Sequence, residues 1–314
     1  MSDPIRAEQL RDADFRSLSI EQMLERIRLF GEPVDTREDI GTISLKRRFP
    51  HLMNVQATDI SIPGPAGPLP ARIYVDAAAV PTGRGMVWAH GGAFLGGNLD
   101  MPEANWVSLE LASSGVPVIS IDYTKCIGGV HYPAPSNDVL AAWEFVREHS
   151  DELLGIDPTG LFIGGASAGA TLAASAVQRL SDGGRPVPAG LVLVYPALHP
   201  DSVRASASLD ETPDSLRGIS MNYAGSVHAL TDPQVFPGVG TASGFPSTLI
   251  VACEFDGFVA SAIEFHRTLE RAGVSAALRI EEGADHGHIN EPSDSAAHRT
   301  IDAMREWICE PRIH

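Results

Sequence analysis

From Gly85 onward the chain alternates short apolar runs with longer stretches of helical period, separated by turn-forming residues. Gly85 to His90 is one such run, followed by helical spacing over 102–114. Val116 to Asp122 with 136–149, and Leu161 to Gly164 with 168–180, repeat the pair. Leu191 to Tyr195 is a further strand. After a long interruption come a strand from Thr248 to Cys253, a helix over 258–272, a strand from Ala276 to Glu281 and a helix over 294–309. Strands that are apolar at nearly every position, not every second one, are buried on both faces. Their regular alternation with helices predicts an α/β fold with a mostly parallel sheet and helices on both sides.

Ahead of this repeat, Gln56 to Ile62 alternates, Pro63 to Pro70 reads as turn material, and Ala71 to Val75 is a second short strand. An antiparallel edge hairpin follows from that pattern, for eight strands in all. Residues 5–30 carry Leu10, Phe15, Leu18, Ile20, Met23, Leu24, Ile27 and Phe30 among charges, predicting one or two amphipathic helices, whereas 31–54 has no clear period. The interruption at 198–246 is too long for a plain connection and has weak helical stretches around 213–229. The organisation expected is cap helices in residues 1–50 and a catalytic domain over 51–314, with a cap insertion at about 198–246.

Composition narrows the partners. The formal charge of −17 repels nucleic acid and anionic membranes and suits a small neutral or cationic ligand. No apolar run approaches the roughly 20 residues that span a bilayer, and Met1-Ser2-Asp3-Pro4 opens without a secretory pattern. Cys126, Cys253 and Cys309 are widely spaced and odd in number, which argues against a disulfide framework and for a reducing compartment. A cytoplasmic location is expected, without a membrane span and without nucleic acid as partner.

The chemistry centres on Gly165-Ala166-Ser167-Ala168-Gly169, placed between a strand and a helix. Such a turn is so tight that the serine's neighbours must be tiny, and it pushes the hydroxyl into the open. With 30 glycines in the chain the pentapeptide alone is a weak signal. Its company strengthens it, because His90-Gly91-Gly92-Ala93-Phe94 follows an earlier strand while Asp256 and His286 follow two later ones. Ligands of parallel α/β sheets lie beyond the carboxyl ends of the strands, and all four elements fall there. His286 would take the proton of Ser167, Asp256 would fix the imidazole, and the amides of Gly92, Ala93 and Ala168 would hold an oxyanion. Glu254 and Asp285 compete with Asp256, and His288 with His286. Phe94, Tyr123 and Tyr195 are candidates for substrate contact. The His286-Gly287-His288 spacing invites a metal, but no cysteine or carboxylate cluster completes a site, so no metal is expected.

These residues resemble the hormone-sensitive-lipase-like branch of the α/β-hydrolases (bacterial family IV), whose bacterial members are mostly carboxylesterases of short acyl chains. The resemblance rests on His90-Gly91-Gly92-Ala93-Phe94, Gly165-Ala166-Ser167-Ala168-Gly169, Glu254-Phe255-Asp256 and His286-Gly287. Asp122-Tyr123, Tyr132-Pro133-Ala134-Pro135 with Asp138, and Tyr195-Pro196 add to it, over roughly residues 55–310. It implies a triad of Ser167, Asp256 and His286, an oxyanion hole from Gly92, Ala93 and Ala168, no cofactor, and often a homodimer. The chain departs from the pattern in having Ala93 where glycine is usual and His288 where phenylalanine is common. A third departure is Thr124-Lys125-Cys126-Ile127-Gly128-Gly129 in place of an arginine with a Leu-Ala-Pro-Glu run. The expected function is hydrolysis of small carboxylic esters through an acyl-enzyme. A biosynthetic acyltransferase, cyclase or amidase with the same triad, or a non-catalytic ligand-binding relative, stays open.

Overall fold

The apolar runs do pair into one sheet. The computed structural model describes residues 18–30, 41–200 and 214–310. Its elements are α1 (Ile20–Phe30), α2 (Thr42–Arg48), β1 (Gln56–Gly64), β2 (Gly67–Val75), β3 (Gly85–Ala89), α3 (Asn105–Ser113), β4 (Val118–Ile121), α4 (Ala134–Glu148), α5 (Ser150–Leu154), β5 (Leu161–Ala166), α6 (Ala168–Asp182), β6 (Leu191–Val194), α7 (Asp214–Ala224), β7 (Thr248–Phe255), α8 (Val259–Arg271), β8 (Ala276–Asp285) and α9 (Ser295–Cys309). The eight strands run in the order β1-β2-β4-β3-β5-β6-β7-β8. β1–β2 and β2–β4 are antiparallel and every other pair is parallel.

Strand alternation divides the core between the two sheet faces. Val87 and Ala89 of β3 join Trp143 of α4 and Leu172 of α6 in one apolar cluster. Met86 and Trp88 join Trp106 of α3 and Met304 of α9 in the other. β3, β5 and β6 are buried at every position, as double-sided cover requires. Each large side chain so enclosed contributes about 1.5–3 kcal/mol.

Three local differences from the sequence pattern have physical causes. The hairpin turn is only Pro65-Ala66, and Pro63, Pro68 and Pro70 lie in the strands, with Pro63 opposite Pro68 and Ser61 opposite Pro70. The Gly64–Gly67 pair closes a two-residue loop and is hydrogen-bonded, so the next and every second pair beyond it are not. The prolines therefore lack an N–H only where this ladder does not use one. Helix α2 was invisible to periodicity because Leu45 is its one buried residue, and it packs on α3. β7 and β8 both run on past their apolar parts, with a register irregularity between Cys253 and Phe255. That extension brings Asp256 and His286 directly after neighbouring strand ends.

Of the helical stretch expected over 5–30, residues 5–17 lie outside the described residues, as do 201–213 of the interruption. α1 crosses α7 closely enough that a Cβ on Gly218 would meet Ile20 Cβ at 2.9 Å. Met23 and Ile27 of α1 are buried and belong to the larger apolar cluster. Among the described residues no helix is long and apolar enough to cross a membrane.

Candidate active site

β3 to β4 steps one way along the sheet and β5 to β8 the other, so the topological switch lies between β3 and β5. Ligands of open α/β sheets bind in such a crevice. Ser167 lies between β5 and α6, at the N-cap of the helix, with φ 51°, ψ −118°, outside the regions an L-residue prefers. The turn holds because backbone packs on backbone. A Cβ on Gly165 would meet Ala89 O at 2.6 Å, and one on Gly169 would strike the carbonyl oxygens of Ala89 and His90. The Ser167 amide donates to Val194 O at 2.9 Å, fixing the turn to β6. Ala168 is the first residue of α6, where amides have no intrahelical acceptor.

Beside it, Gly92, Ala93 and Phe94 are consecutive left-handed residues, with φ of 114°, 54° and 61°. The turn closes through the amides of Leu95 and Gly96, both donating to Gly92 O. Those bonds do not engage the amides of Gly92 and Ala93. Its base is braced by Tyr123, whose hydroxyl donates to His90 O at 2.8 Å and Gly91 O at 3.0 Å. The Tyr123 ring also stacks on the His90 ring. Burial, and then the nearby Lys125 ammonium, hold the His90 imidazole below its usual range. Lys125, from the segment that departs from the family pattern, is bonded to Asp122 and to Tyr123 O and lies 4.3 Å from the Tyr123 ring centre.

On the far side, His286 Nδ1–H donates to Asp256 Oδ2 at 2.7 Å, and His286 Nε2 lies 2.9 Å from Ser167 Oγ. The first bond leaves Nε2 as the ring's acceptor, facing the serine hydroxyl. The Asp256 side chain is 4% exposed and that of His286 24%. Of the competing residues, Glu254 and His288 are engaged elsewhere. Glu254 accepts from the Gly283 amide at 2.8 Å across the strand irregularity. Asp285 is exposed. His288 points inward, 2.7 Å from Thr300 Oγ1 and 3.3 Å from Cys253 Sγ, and burial lowers its pKa to about 4. Among the described residues no group of three or more His, Cys, Asp or Glu could hold a metal ion.

Phe94, Tyr123 and Tyr195 sit in the site but are almost fully buried. Phe94 stacks on Tyr223 of α7 with ring centres 3.9 Å apart. Around that stack Asn222 Nδ2 donates to Cys126 O at 2.8 Å, the Tyr132 amide donates to Tyr223 O at 2.7 Å, and His131 Nδ1 donates to Asn222 O at 2.6 Å. Tyr195 packs its ring 4.8 Å from His286 and donates its hydroxyl to Glu103 Oε2 at 2.5 Å. Burial, followed by Glu103, raises its phenol well above the ordinary value. Sequence reasoning missed Glu103, Asn290 and Tyr223. An acidic residue two positions before a helix reads as a solvent-facing partner of the helix dipole, and nothing local marks it as buried.

A family model described as alpha/beta hydrolase fold matches residues 86–290. Carboxylic ester hydrolase LipN of Mycobacterium tuberculosis is 29% identical over 297 residues, covering 87% of this chain and 76% of that protein. Ethyl acetate hydrolase of Pseudomonas putida is 28% identical over 254 residues, 76% of this chain and 79% of its own. Among solved structures, esterase LipW from Mycobacterium marinum superposes with a TM-score of 0.74 at 28% identity, covering 98% of this chain and 95% of that one. The family match spans well over half the chain, its eight-stranded sheet is the one the family builds, and its relatives carry esterase names. The chain belongs to the α/β-hydrolases, in their hormone-sensitive-lipase-like branch.

Proposed function

We propose that this α/β-hydrolase cleaves small carboxylic esters through a covalent acyl-enzyme on Ser167. The observation that carries the reading is the unbroken chain from Ser167 Oγ through the His286 imidazole to Asp256, at 2.9 and 2.7 Å. Ester hydrolysis is also the activity its relatives carry in their names.

Ser167 Oγ attacks the ester carbonyl while His286 Nε2 takes its proton. Asp256 holds the Nδ1–H tautomer and stabilises the imidazolium that forms. Negative charge gathers on the carbonyl oxygen, where the amides of Gly92, Ala93 and Ala168 donate. Collapse expels the alkoxide, which receives the proton from His286 and departs as the alcohol. Water, deprotonated by the same imidazole, then attacks the acyl-serine. A second tetrahedral intermediate releases the carboxylic acid and restores Ser167. Losing one oxyanion donor of this kind costs about 3 kcal/mol of transition-state stabilisation. Tyr123 and Tyr195 act as supports for the loop and the imidazole. α1 and α7, within 1–50 and 198–246, form the cap that sets the acyl pocket.

Labelling with a fluorophosphonate, with the adduct located by peptide mass spectrometry, tests the nucleophile. Turnover of p-nitrophenyl acetate to octanoate is followed alongside. An adduct on Ser167, steady short-chain turnover, and loss of about 10⁶ in kcat for Ser167→Ala are expected. A fully active Ser167→Ala protein would end this reading. An adduct without steady turnover would replace hydrolysis by acyl transfer to another nucleophile.

A further inference from the structure

Glu103 is a carboxylate 2% exposed that the mechanism above does not use. Burial of such a group is unfavourable unless donors meet its oxygens. Here Oε1 accepts from the Gly91 amide, and Oε2 accepts from Tyr195 Oη at 2.5 Å and Asn290 Nδ2 at 3.0 Å. The Glu103 amide in turn donates to Asn290 Oδ1 at 3.1 Å, so these two residues grip each other twice. Its partners lie on three segments: the loop after β3, the residue after β6, and the turn that follows His286.

The position of Gly91 gives this arrangement its consequence. The His90–Gly91 peptide is pinned at both ends, its carbonyl by Tyr123 Oη and its N–H by Glu103. In the next peptide, Gly91 O accepts from Tyr123 Oη at 3.0 Å and from His90 Nδ1 at 2.6 Å. In a planar trans peptide the C=O and N–H point in opposite directions. Holding Gly91 O in the interior therefore turns the Gly92 N–H outward, toward the oxyanion position. Gly91 itself must be glycine, since a Cβ there would strike Glu103 Oε1 and come within 3.1 Å of Ser167 Cβ.

We propose that Glu103 is a positioning residue, which aims the oxyanion amides and, through Tyr195 and Asn290, ties them to the His286 turn. The proposal rests on the acyl-enzyme reading. Glu103→Gln keeps an acceptor for Gly91 but sets an NH₂ against two donors. It is compared with wild type by steady-state kinetics on p-nitrophenyl butyrate, by thermal unfolding, and by inhibition with two ligands. One is an alkyl trifluoromethyl ketone, which forms a tetrahedral adduct, and the other its unreactive alcohol analogue. Expected are a fall in kcat of about 30- to 100-fold, below the loss of a whole donor, and KM within about threefold. Ketone affinity should weaken with kcat/KM while alcohol affinity holds. A purely structural residue would weaken both ligands alike or neither. Wild-type kcat in a folded Glu103→Gln protein, or a ketone that weakens no more than the alcohol, overturns the proposal. Should Glu103→Gln not fold, Asn290→Ala leaves the Gly91 bond in place. It is expected to lower kcat and ketone affinity together by about three- to tenfold, and no change in either overturns the proposal. If fluorophosphonate leaves wild-type Ser167 unlabelled, the acyl-enzyme reading falls and takes this one with it. Labelled Ser167 beside an indifferent Glu103→Gln sinks this proposal alone.

Discussion

The two sides of the proposed triad are held in place by different means. Around Ser167, the ends of β3 and β5 touch through main-chain atoms, and Gly165 and Gly169 have no room for a methyl group. Around Asp256 and His286, the ends of β7 and β8 run beyond the packed sheet, and Phe255 beside the acid is 64% exposed. There the geometry rests on side-chain hydrogen bonds, donated by His286 Nδ1–H to Asp256 and by the Gly283 amide to Glu254. The nucleophile is thus fixed by excluded volume, and the acid and base by a few polar bonds. Excluded volume fails by loss of folding, whereas a polar bond can be removed with the fold intact.

That contrast can be broken in three places. Asp256→Asn should act on chemistry alone, lowering kcat by about 10⁴ with thermal stability little changed. A kcat within tenfold of wild type would move the acid role to another residue, and Glu254→Gln would be the next variant to measure. Gly169→Ala should act on folding, costing about 3 kcal/mol or more in urea denaturation, because backbone carbonyls cannot withdraw from a new methyl as a side chain could. An unaltered urea midpoint would mean the elbow has slack and the contrast is false. The third effect is the smallest and reads the inner layer behind His286. His288 has its pKa depressed to about 4, so the folded state resists a proton that the unfolded chain accepts near 6.5. Its stabilising contribution is complete above pH 6.5 and is lost as pH falls toward 4, by about 3 kcal/mol. His288→Gln should flatten the urea midpoint over that range by this amount. It should not abolish the slope, since burial also lowers the pKa of His90 and His199. An unchanged slope would show that His288 does not resist protonation in the folded state.

Where apolar runs bury on both faces, the sequence read well, because burial leaves a compositional mark at each position. β3, β5, β6 and their helices lie within a few residues of the pattern. The ends of β7 and β8 did not read, since Glu254 and Glu282-Gly283 break the apolar runs and are exposed. α2 did not read because one buried leucine makes no period. The proposed nucleophile, acid and base were legible through spacing relative to strand ends. Glu103 was not, because Gly91, Tyr195 and Asn290 lie 12, 92 and 187 positions from it and only the folded sheet brings them together.

The latch between α7 and the loop over 124–132 bears on how the protein could be rebuilt. Phe94, Asn222, Tyr223, Cys126, His131 and Tyr132 form one seam, and four of the six lie outside the insertion. The segment that carries the departure from the family pattern is therefore the socket for the proposed cap. A cap grafted from a relative would arrive without a matching socket, with Phe94 left bare beside the proposed oxyanion amides. The exchangeable unit is the insertion together with Thr124 to Tyr132, two pieces far apart in the chain that must be transplanted as one.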